Sequence, residues 1–204
     1  YVDKIVEGIG NRLKLNTPVR SVRRIDNGVT LTLPDGSEQN FDQVILACHA
    51  DQSLKLLDGA EREEIDLLEK FPYEKNQVTL HSDDRLLPRR KSARASWNAY
   101  LTKEKRSHAV VTYDMNILQS LPTQEPFCVS LNQQGEIDPA LRHGEYTFEH
   151  PTYHPGRKSA QAMHNSFIQR KGISLCGSYW GYGFHEDGLS SALRVCESFG
   201  KTLG

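Results

Sequence analysis

The run Leu175-Cys176-Gly177-Ser178-Tyr179-Trp180-Gly181-Tyr182-Gly183-Phe184-His185-Glu186-Asp187-Gly188-Leu189 constrains this chain more than any other segment. An apolar strand enters a loop with four glycines in twelve residues. An amphipathic helix leaves it, with Leu189, Ala192, Leu193 and Cys196 at i, i+3, i+4, i+7. Glycine has no Cβ, so such a loop lets backbone approach a flat ligand closely. A helix starting near Gly188 offers free N–H groups and the positive end of its dipole to partial negative charge. Tyr179, Trp180, Tyr182 and Phe184 add aromatic faces beside it. The same residues also suit a packed aromatic turn, with the helix capped by Asp187 or Ser190.

The N-terminal quarter reads differently. Val2, Ile5, Val6 and Ile9 form one face of a short helix ending near Gly10. Val19 to Ile25 alternates as a strand, Asp26-Asn27-Gly28 is a hairpin turn, Val29 to Leu33 is the return strand, and Pro34-Asp35-Gly36 turns again. Phe41 to Cys48 is nearly continuous in apolar residues, which predicts a strand buried on both faces. Asp58 to Lys70 predicts a helix with Glu61, Glu63 and Glu64 at its start, stopped by Phe71-Pro72. From there to about Tyr153 the texture changes to short β-like pieces (Gln77–His81, Ala93–Tyr100, Ala109–Tyr113, Phe127–Leu131, Tyr146–His150), the mark of an antiparallel or mixed sheet. A helix at Ser159–Arg170 and a strand at Ile173–Cys176 follow. The ends therefore form one lobe and the middle is an insertion in it.

Composition closes off several classes. The 204 residues carry 25 Lys and Arg against 26 Asp and Glu, a net charge of -1, which draws the chain to neither nucleic acid nor an anionic membrane. The longest apolar run, Val44 to Cys48, is far short of the ~18–20 residues of a membrane span. Cys48, Cys128, Cys176 and Cys196 form no C-x-x-C pair and each lies in or beside an apolar stretch, so they read as buried thiols of a reducing compartment, the cytoplasm, rather than nucleophiles. Arg85, Arg89, Arg90, Lys91 and Arg94 with Trp97 and Tyr100 make a basic, aromatic stretch that reads as a solvated loop or a seat for an anionic head group. His150 and His154 are four apart, but Pro151 and Pro155 forbid a shared helical face, so no metal site is expected. The chain opens at Tyr1 inside an amphipathic pattern, which reads as a piece of a longer protein.

The order of these segments resembles the flavin-containing amine oxidase superfamily. That family has a helix, a P-V-x-x-V strand, a hairpin ending in D-G, an apolar V-I-L-A strand and a C-terminal flavin segment. Here these stand as Pro18-Val19-Arg20-Ser21-Val22, Asp35-Gly36, Val44-Ile45-Leu46-Ala47, and Gly177 followed by Glu186-Asp187-Gly188-Leu189-Ser190-Ser191-Ala192. Ser96-Trp97-Asn98, Val111-Thr112-Tyr113-Asp114-Met115-Asn116 and Gly183 to Gly188 resemble a bacterial subgroup of predicted NAD/FAD-binding oxidoreductases. The resemblance implies an α+β (mixed α/β) fold: a partial FAD-binding lobe at residues 1–58, a mostly antiparallel-sheet substrate lobe at 59–170, and an FAD-binding segment at 171–204 that returns to the first lobe.

It also implies roles. The backbone of Val19 meets the adenine of FAD. Gly177 lies by the pyrophosphate and ribityl chain, with Ser178 beside it. The Gly183-Phe184 turn and the backbone N–H groups near Asp187, Gly188 and Leu189 face the N1–C2 edge of the flavin ring, where a helix N-terminus favours the reduced state. His185 falls where amine oxidases place an aromatic facing the flavin, and it equally suits fixing the loop through backbone hydrogen bonds. A lysine near N5 is common in the superfamily, which makes Lys91 or Arg94 a candidate. Two departures stand out. Gly8-Ile9-Gly10-Asn11-Arg12-Leu13 follows a helix and opens none, so it is no dinucleotide fingerprint; the pyrophosphate cradle is expected upstream of Tyr1, and this stretch alone should bind FAD poorly or not at all and be inactive. The family's acidic residue after the last-strand glycine is replaced by Ser178, which weakens the ribityl contact. The expected activity is oxidation of a small-molecule substrate by hydride transfer to N5. The alternatives are a non-catalytic lobe gripping an apolar substrate or a partner protein, and a metal-free hydrolase.

Overall fold

The computed structural model describes residues 2–101 and 108–203. In chain order the elements are α1 (Val2–Ile9), β1 (Ser21–Ile25), β2 (Gly28–Thr32), β3 (Glu38–Phe41), β4 (Val44–Leu46), α2 (Ala50–Leu56), β5 (Leu57–Asp58), α3 (Arg62–Leu68), β6 (Tyr73–His81), β7 (Trp97–Ala99), β8 (Val111–Asp114), α4 (Met115–Leu118), β9 (Cys128–Leu131), β10 (Arg142–Pro151), α5 (Arg157–Gln161), β11 (Ile173–Leu175) and α6 (His185–Ser198). Helices and mixed sheets together make the fold α+β. The chain divides into two units, Tyr1–Pro72 with Pro151–Gly204, and Tyr73–His150. The divisions fall at 72/73 and 150/151, where the sequence reading sets 58/59 and 170/171. Packing is the reason: Leu67, Leu68 and Phe71 on one side, and Ala160 and Phe167 on the other, are buried in the unit of the chain ends.

In that first unit a sheet runs in the order β3-β2-β1-β5. The Asp26-Asn27-Gly28 turn sets the β1–β2 register, with Ile25 opposite Gly28 and Val22 opposite Leu31. Val22 and Val29 point into the core, while β3 (Glu-Gln-Asn-Phe) is an exposed, polar edge, which discourages pairing with another chain. Arg24 on β1 donates both terminal nitrogens to Glu64 on α3, at 2.5 and 3.3 Å, and Glu64 is 2% exposed. The second Glu64 oxygen also accepts the Glu61 N–H at 2.8 Å, closing the first turn of α3. β4 pairs in parallel with the distant β11, with Leu46 opposite Leu175. The apolar run expected as one strand over 41–48 is split at Asp42-Gln43: Phe41 ends a hairpin strand, Val44–Leu46 joins another sheet, and Ile45 is 46% exposed rather than buried.

The middle unit holds an antiparallel sheet in the order β10-β6-β9-β8-β7. Its strand registers line up residues in straight rows. Thr79, Ser130, Thr112 and Asn98 face one way across β6, β9, β8 and β7, and all four are buried. Leu80, Val129, Tyr113 and Trp97 face the other way, flanked by Val78, Leu131, Val111 and Ala99. The polar row is thus buried across all four strands, whereas the apolar face is buried only at Val78 and Leu131. A hydrogen-bonded chain meets that cost except at the Thr79 hydroxyl, which has no hydrogen bond among the described residues. The Asp83 N–H donates to His81 Nδ1 at 3.1 Å, which leaves the His81 proton on Nε2, 2.8 Å from Ser130 Oγ; Ser130 meets Thr112 Oγ1 at 2.7 Å, and Thr112 donates to Gln133 Oε1 at 2.9 Å. Burial holds the His81 pKa below its ordinary value, in keeping with a neutral ring. The apolar rows run from buried Val78 and Leu131 out to Trp97, which is 52% exposed and edge-on to Tyr113 at 5.5 Å.

Candidate functional site

The glycine and aromatic loop lies wholly in the first unit, between β11 and α6. Gly177 leaves the strand at φ +154°, and a Cβ there would stand 2.7 Å from the Tyr179 ring and 3.3 Å from the Cys48 carbonyl. Only glycine fits this turn. Its N–H donates to Ser191 Oγ at 2.9 Å, so Ser191 on α6 sets the turn against the helix. Tyr179 and Trp180 then fold inward around Phe71, with ring centroids 5.0 and 5.6 Å from it. The aromatics divide in two: Tyr179 and Trp180 are core, whereas Tyr182 and Phe184 are exposed at 76% and 53%. Leu189, one turn into the helix, is 48% exposed.

α6 begins at His185, three residues before the sequence-predicted start. The cause is Asp187. Its Oδ2 accepts the Tyr182 N–H at 3.0 Å and the Phe184 N–H at 2.9 Å, which fixes the helix entry upstream of Gly188. Gly181 exists for the same carboxylate, since a Cβ there would lie 2.0 Å from Asp187 Oδ1. The Asp187 and Gly188 N–H groups both donate to the Phe184 carbonyl, at 3.1 and 3.2 Å. The first donors without an intrahelical acceptor are therefore those of His185 and Glu186. The His185 side chain is exposed, and no hydrogen bond among the described residues holds its ring to the loop.

Gly188 behaves unlike Gly177 and Gly181. Nothing among the described residues requires it: a Cβ would meet Ser178 N at 3.8 Å and Ser178 Cβ at 3.9 Å, ordinary contacts. That Cβ would cover the Ser178 N–H, which no hydrogen bond among the described residues uses. The Gly177-Ser178 turn and Gly188 thus leave a small backbone-lined cleft with a free donor. Val19, just ahead of β1, offers a second such feature, because its N–H and C=O enter no hydrogen bond among the described residues. A dinucleotide cofactor needs backbone donors and acceptors at its phosphates and base, and these positions fit it.

Sequence reasoning missed the residues that hold the loop from behind. Arg157 on α5 is 4% exposed and donates to the carbonyls of Thr152, Tyr179 and Gly181 at 3.2, 3.4 and 3.0 Å. Gln161, one turn on, donates to the same Tyr179 and Gly181 carbonyls at 2.9 and 2.6 Å. The Tyr153 hydroxyl donates to the Tyr182 carbonyl. The i, i+4 spacing of Arg157 and Gln161 was the available signal, but two polar residues on a short helix read as solvent-facing.

Lys91 and Arg94 lie in the middle unit, so neither unit by itself unites them with His185. Both line a cleft of ≈ 270 Å³ with Asp114, Asn116 and Thr123. Arg94 is committed to Asp84, at 3.0 Å, and to the Pro88 carbonyl, at 3.1 Å, whereas Lys91 is exposed. Burial pushes the Cys128 thiol up to about 12 and the Cys176 thiol to about 11, which removes both as nucleophiles. Among the described residues no cluster of His, Cys, Asp and Glu is placed to hold a metal, and no helix is long and apolar enough to cross a membrane.

The fold recurs in solved structures. The CLA-producing fatty acid isomerase from P. acnes matches over 90% of this chain and 47% of its own length, with a TM-score of 0.58 and 14% identity. A triple mutant of putrescine oxidase matches over 97% of this chain and 51% of its own, with a TM-score of 0.61 and 16% identity. A reduced UDP-galactopyranose mutase matches over 90% and 46%, at 0.58 and 13%. At such identities the likeness is one of fold, and the chain spans about half the length of these proteins. No curated protein matches it. The sequence model for flavin containing amine oxidoreductases matches residues 2–123, from α1 through the hairpin and β4 well into the middle unit. With that stretch covering more than half of the chain, the chain belongs to the flavin containing amine oxidoreductase family.

Proposed function

We propose that this chain is part of an FAD-dependent oxidoreductase of the amine-oxidase type that oxidises a small-molecule substrate. The observation that carries the proposal is Gly188. A glycine inside a helix costs about 1 kcal/mol relative to alanine, and the chain's own packing gives no reason for it. A ligand lying against Ser178 N–H does. FAD, when bound, supplies the hydride acceptor. The chain's residues bind and orient it. Val19 meets the adenine through its N–H and C=O, and the Gly177-Ser178 turn with Gly188 takes the pyrophosphate and ribityl chain. The start of α6 turns the His185 and Glu186 N–H groups toward the electron-rich ring edge, and Phe184 and Leu189 shield it from water. His185 is the side chain of this unit proposed to hold or move a proton during turnover. The apolar rows of the middle unit, Leu80 to Trp97 and Val78 to Ala99, favour a substrate with an apolar body.

The test is a spectrum of the full-length protein. Flavin absorption that bleaches with dithionite, with FAD released on denaturation, supports the proposal. A folded, colourless full-length protein that takes up no added FAD overturns it, and leaves the reading as a non-catalytic binding lobe.

A further inference from the structure

Arg157 is a buried cation, 4% exposed, and among the described residues no carboxylate lies within ion-pair distance of it. Its guanidinium sits over the Tyr153 ring, 4.3 Å from the centroid, and 5.7 Å from that of Phe71, and its Nε has no hydrogen bond among the described residues. Burying an unpaired charge is expensive. Fastening the loop does not explain that cost, because neutral Gln161 already donates to the same Tyr179 and Gly181 carbonyls at shorter distances, and the Thr152 carbonyl that Arg157 alone reaches needs a donor rather than a charge. The positive charge itself therefore has a task that an amide cannot perform.

The charges around the α6 entry show what the task is. Asp187 places a carboxylate at the third position of the helix, where it partly cancels the positive dipole end. That carboxylate is packed against Gly181, and Arg157 donates to the carbonyl of the same glycine. Arg157 thus stands behind the Gly181–Tyr182 peptide, one of the two whose N–H groups Asp187 accepts, and restores positive potential to a helix end that its own cap would otherwise neutralise. We propose that Arg157 is the electrostatic positioning residue of the flavin segment: its buried charge keeps the start of α6 positive and so favours the reduced flavin. This rests on the reading of α6 as the flavin-facing element.

The experiment is a spectroelectrochemical titration of the FAD-loaded full-length protein and of three variants. Arg157→Gln keeps a donor and loses the charge; the ratio of reduced to oxidised flavin at a fixed potential should fall about tenfold, which is about 30 mV for a two-electron couple. Arg157→Lys keeps the charge and should restore the wild-type potential. Asp187→Asn keeps an acceptor for the Tyr182 and Phe184 N–H groups, removes the negative charge, and should move the potential the opposite way. Equal shifts in Arg157→Gln and Arg157→Lys would show that Arg157 only fastens the loop, and no shift in either would overturn the proposal equally. If Arg157→Gln loses flavin altogether, Asp187→Asn decides: an unchanged or lowered potential refutes the electrostatic role. A wild-type protein without flavin instead rejects the underlying reading, and is recognised before any titration begins.

Discussion

Replacing Gly188 by alanine separates the needs of the chain from those of a ligand. The backbone at 188 is already helical, so the substitution gains the helix-propensity difference of about 0.8–1.0 kcal/mol. The new methyl meets Ser178 N at 3.8 Å and Ser178 Cβ at 3.9 Å without strain, which adds a few tenths of a kcal/mol of burial. The apoprotein should therefore become more stable by about 1 kcal/mol. With a urea slope of about 2 kcal/mol/M, that raises the unfolding midpoint by about 0.5 M at constant slope. FAD affinity should move the other way. The methyl covers the Ser178 N–H, and a lost hydrogen bond to a charged ligand is worth about 1.5–3 kcal/mol, or roughly a 10- to 150-fold rise in Kd. Fluorescence titration of FAD and urea unfolding of apoprotein measure the two effects on one preparation. A destabilised Gly188→Ala apoprotein would show that the chain needs this glycine for itself, and unchanged FAD affinity would show that no ligand uses the cleft. Gly181→Ala is the control: its Cβ would strike Asp187, break the two bonds at the helix entry and cost about 1–2 kcal/mol without any ligand.

Other regions give further outcomes. Glu64→Gln strands the Arg24 guanidinium against α3 and should cost about 3 kcal/mol in urea unfolding, while replacing both partners with apolar residues of similar volume should recover much of it. Glu61 is held down to about 2 by hydrogen bonds from Lys171 and Arg170, so its contribution is complete above its ordinary value near 4.5 and is lost as the pH falls toward 2; Glu61→Gln should flatten the stability profile across that window. Iodoacetamide at pH 8 should modify Cys48 and Cys196 and spare Cys128 and Cys176 in the folded protein, as read by peptide mass spectrometry, and should modify all four in urea.

Local chemistry made the N-terminal hairpin and the loop-to-helix segment legible in the sequence. Asp26-Asn27-Gly28 announces its turn, and Leu189, Ala192, Leu193 and Cys196 announce the body of α6. What stayed hidden depended on partners distant in the chain. The start of α6 was placed three residues late because Asp187 reads as a cap for a helix behind it, whereas it reaches back to Tyr182 and Phe184. The segment 41–48 looked like one buried strand because apolar composition does not reveal a change of sheet at Asp42-Gln43. α2 has only Leu54 and Leu56 as large apolar residues, too few for a helical period. Arg157 and Gln161 carry no sequence mark of facing inward.

The middle unit gives the general reason. Strand alternation separates Thr79, Ser130, Thr112 and Asn98 from Leu80, Val129, Tyr113 and Trp97, yet it is symmetric about which set is covered. The ordinary rule assigns the apolar set to the core; Val78 and Leu131 obey it, but Leu80, Val129, Tyr113 and Trp97 do not, while Thr79, Ser130, Thr112 and Asn98 are buried, with Ser130 and Thr112 bonded to each other and Asn98 to the Thr112 carbonyl. A sheet tolerates that arrangement only if most buried polar atoms are satisfied; the chain from His81 through Ser130 and Thr112 to Gln133 satisfies its members, and the Thr79 hydroxyl, which finds no hydrogen bond among the described residues, is the exception. Sequence periodicity therefore fixes the two faces but not their roles. The hydrogen-bond network decides that, and in deciding it leaves Trp97 and the apolar rows beside it with surface that the middle unit's own polar face does not use.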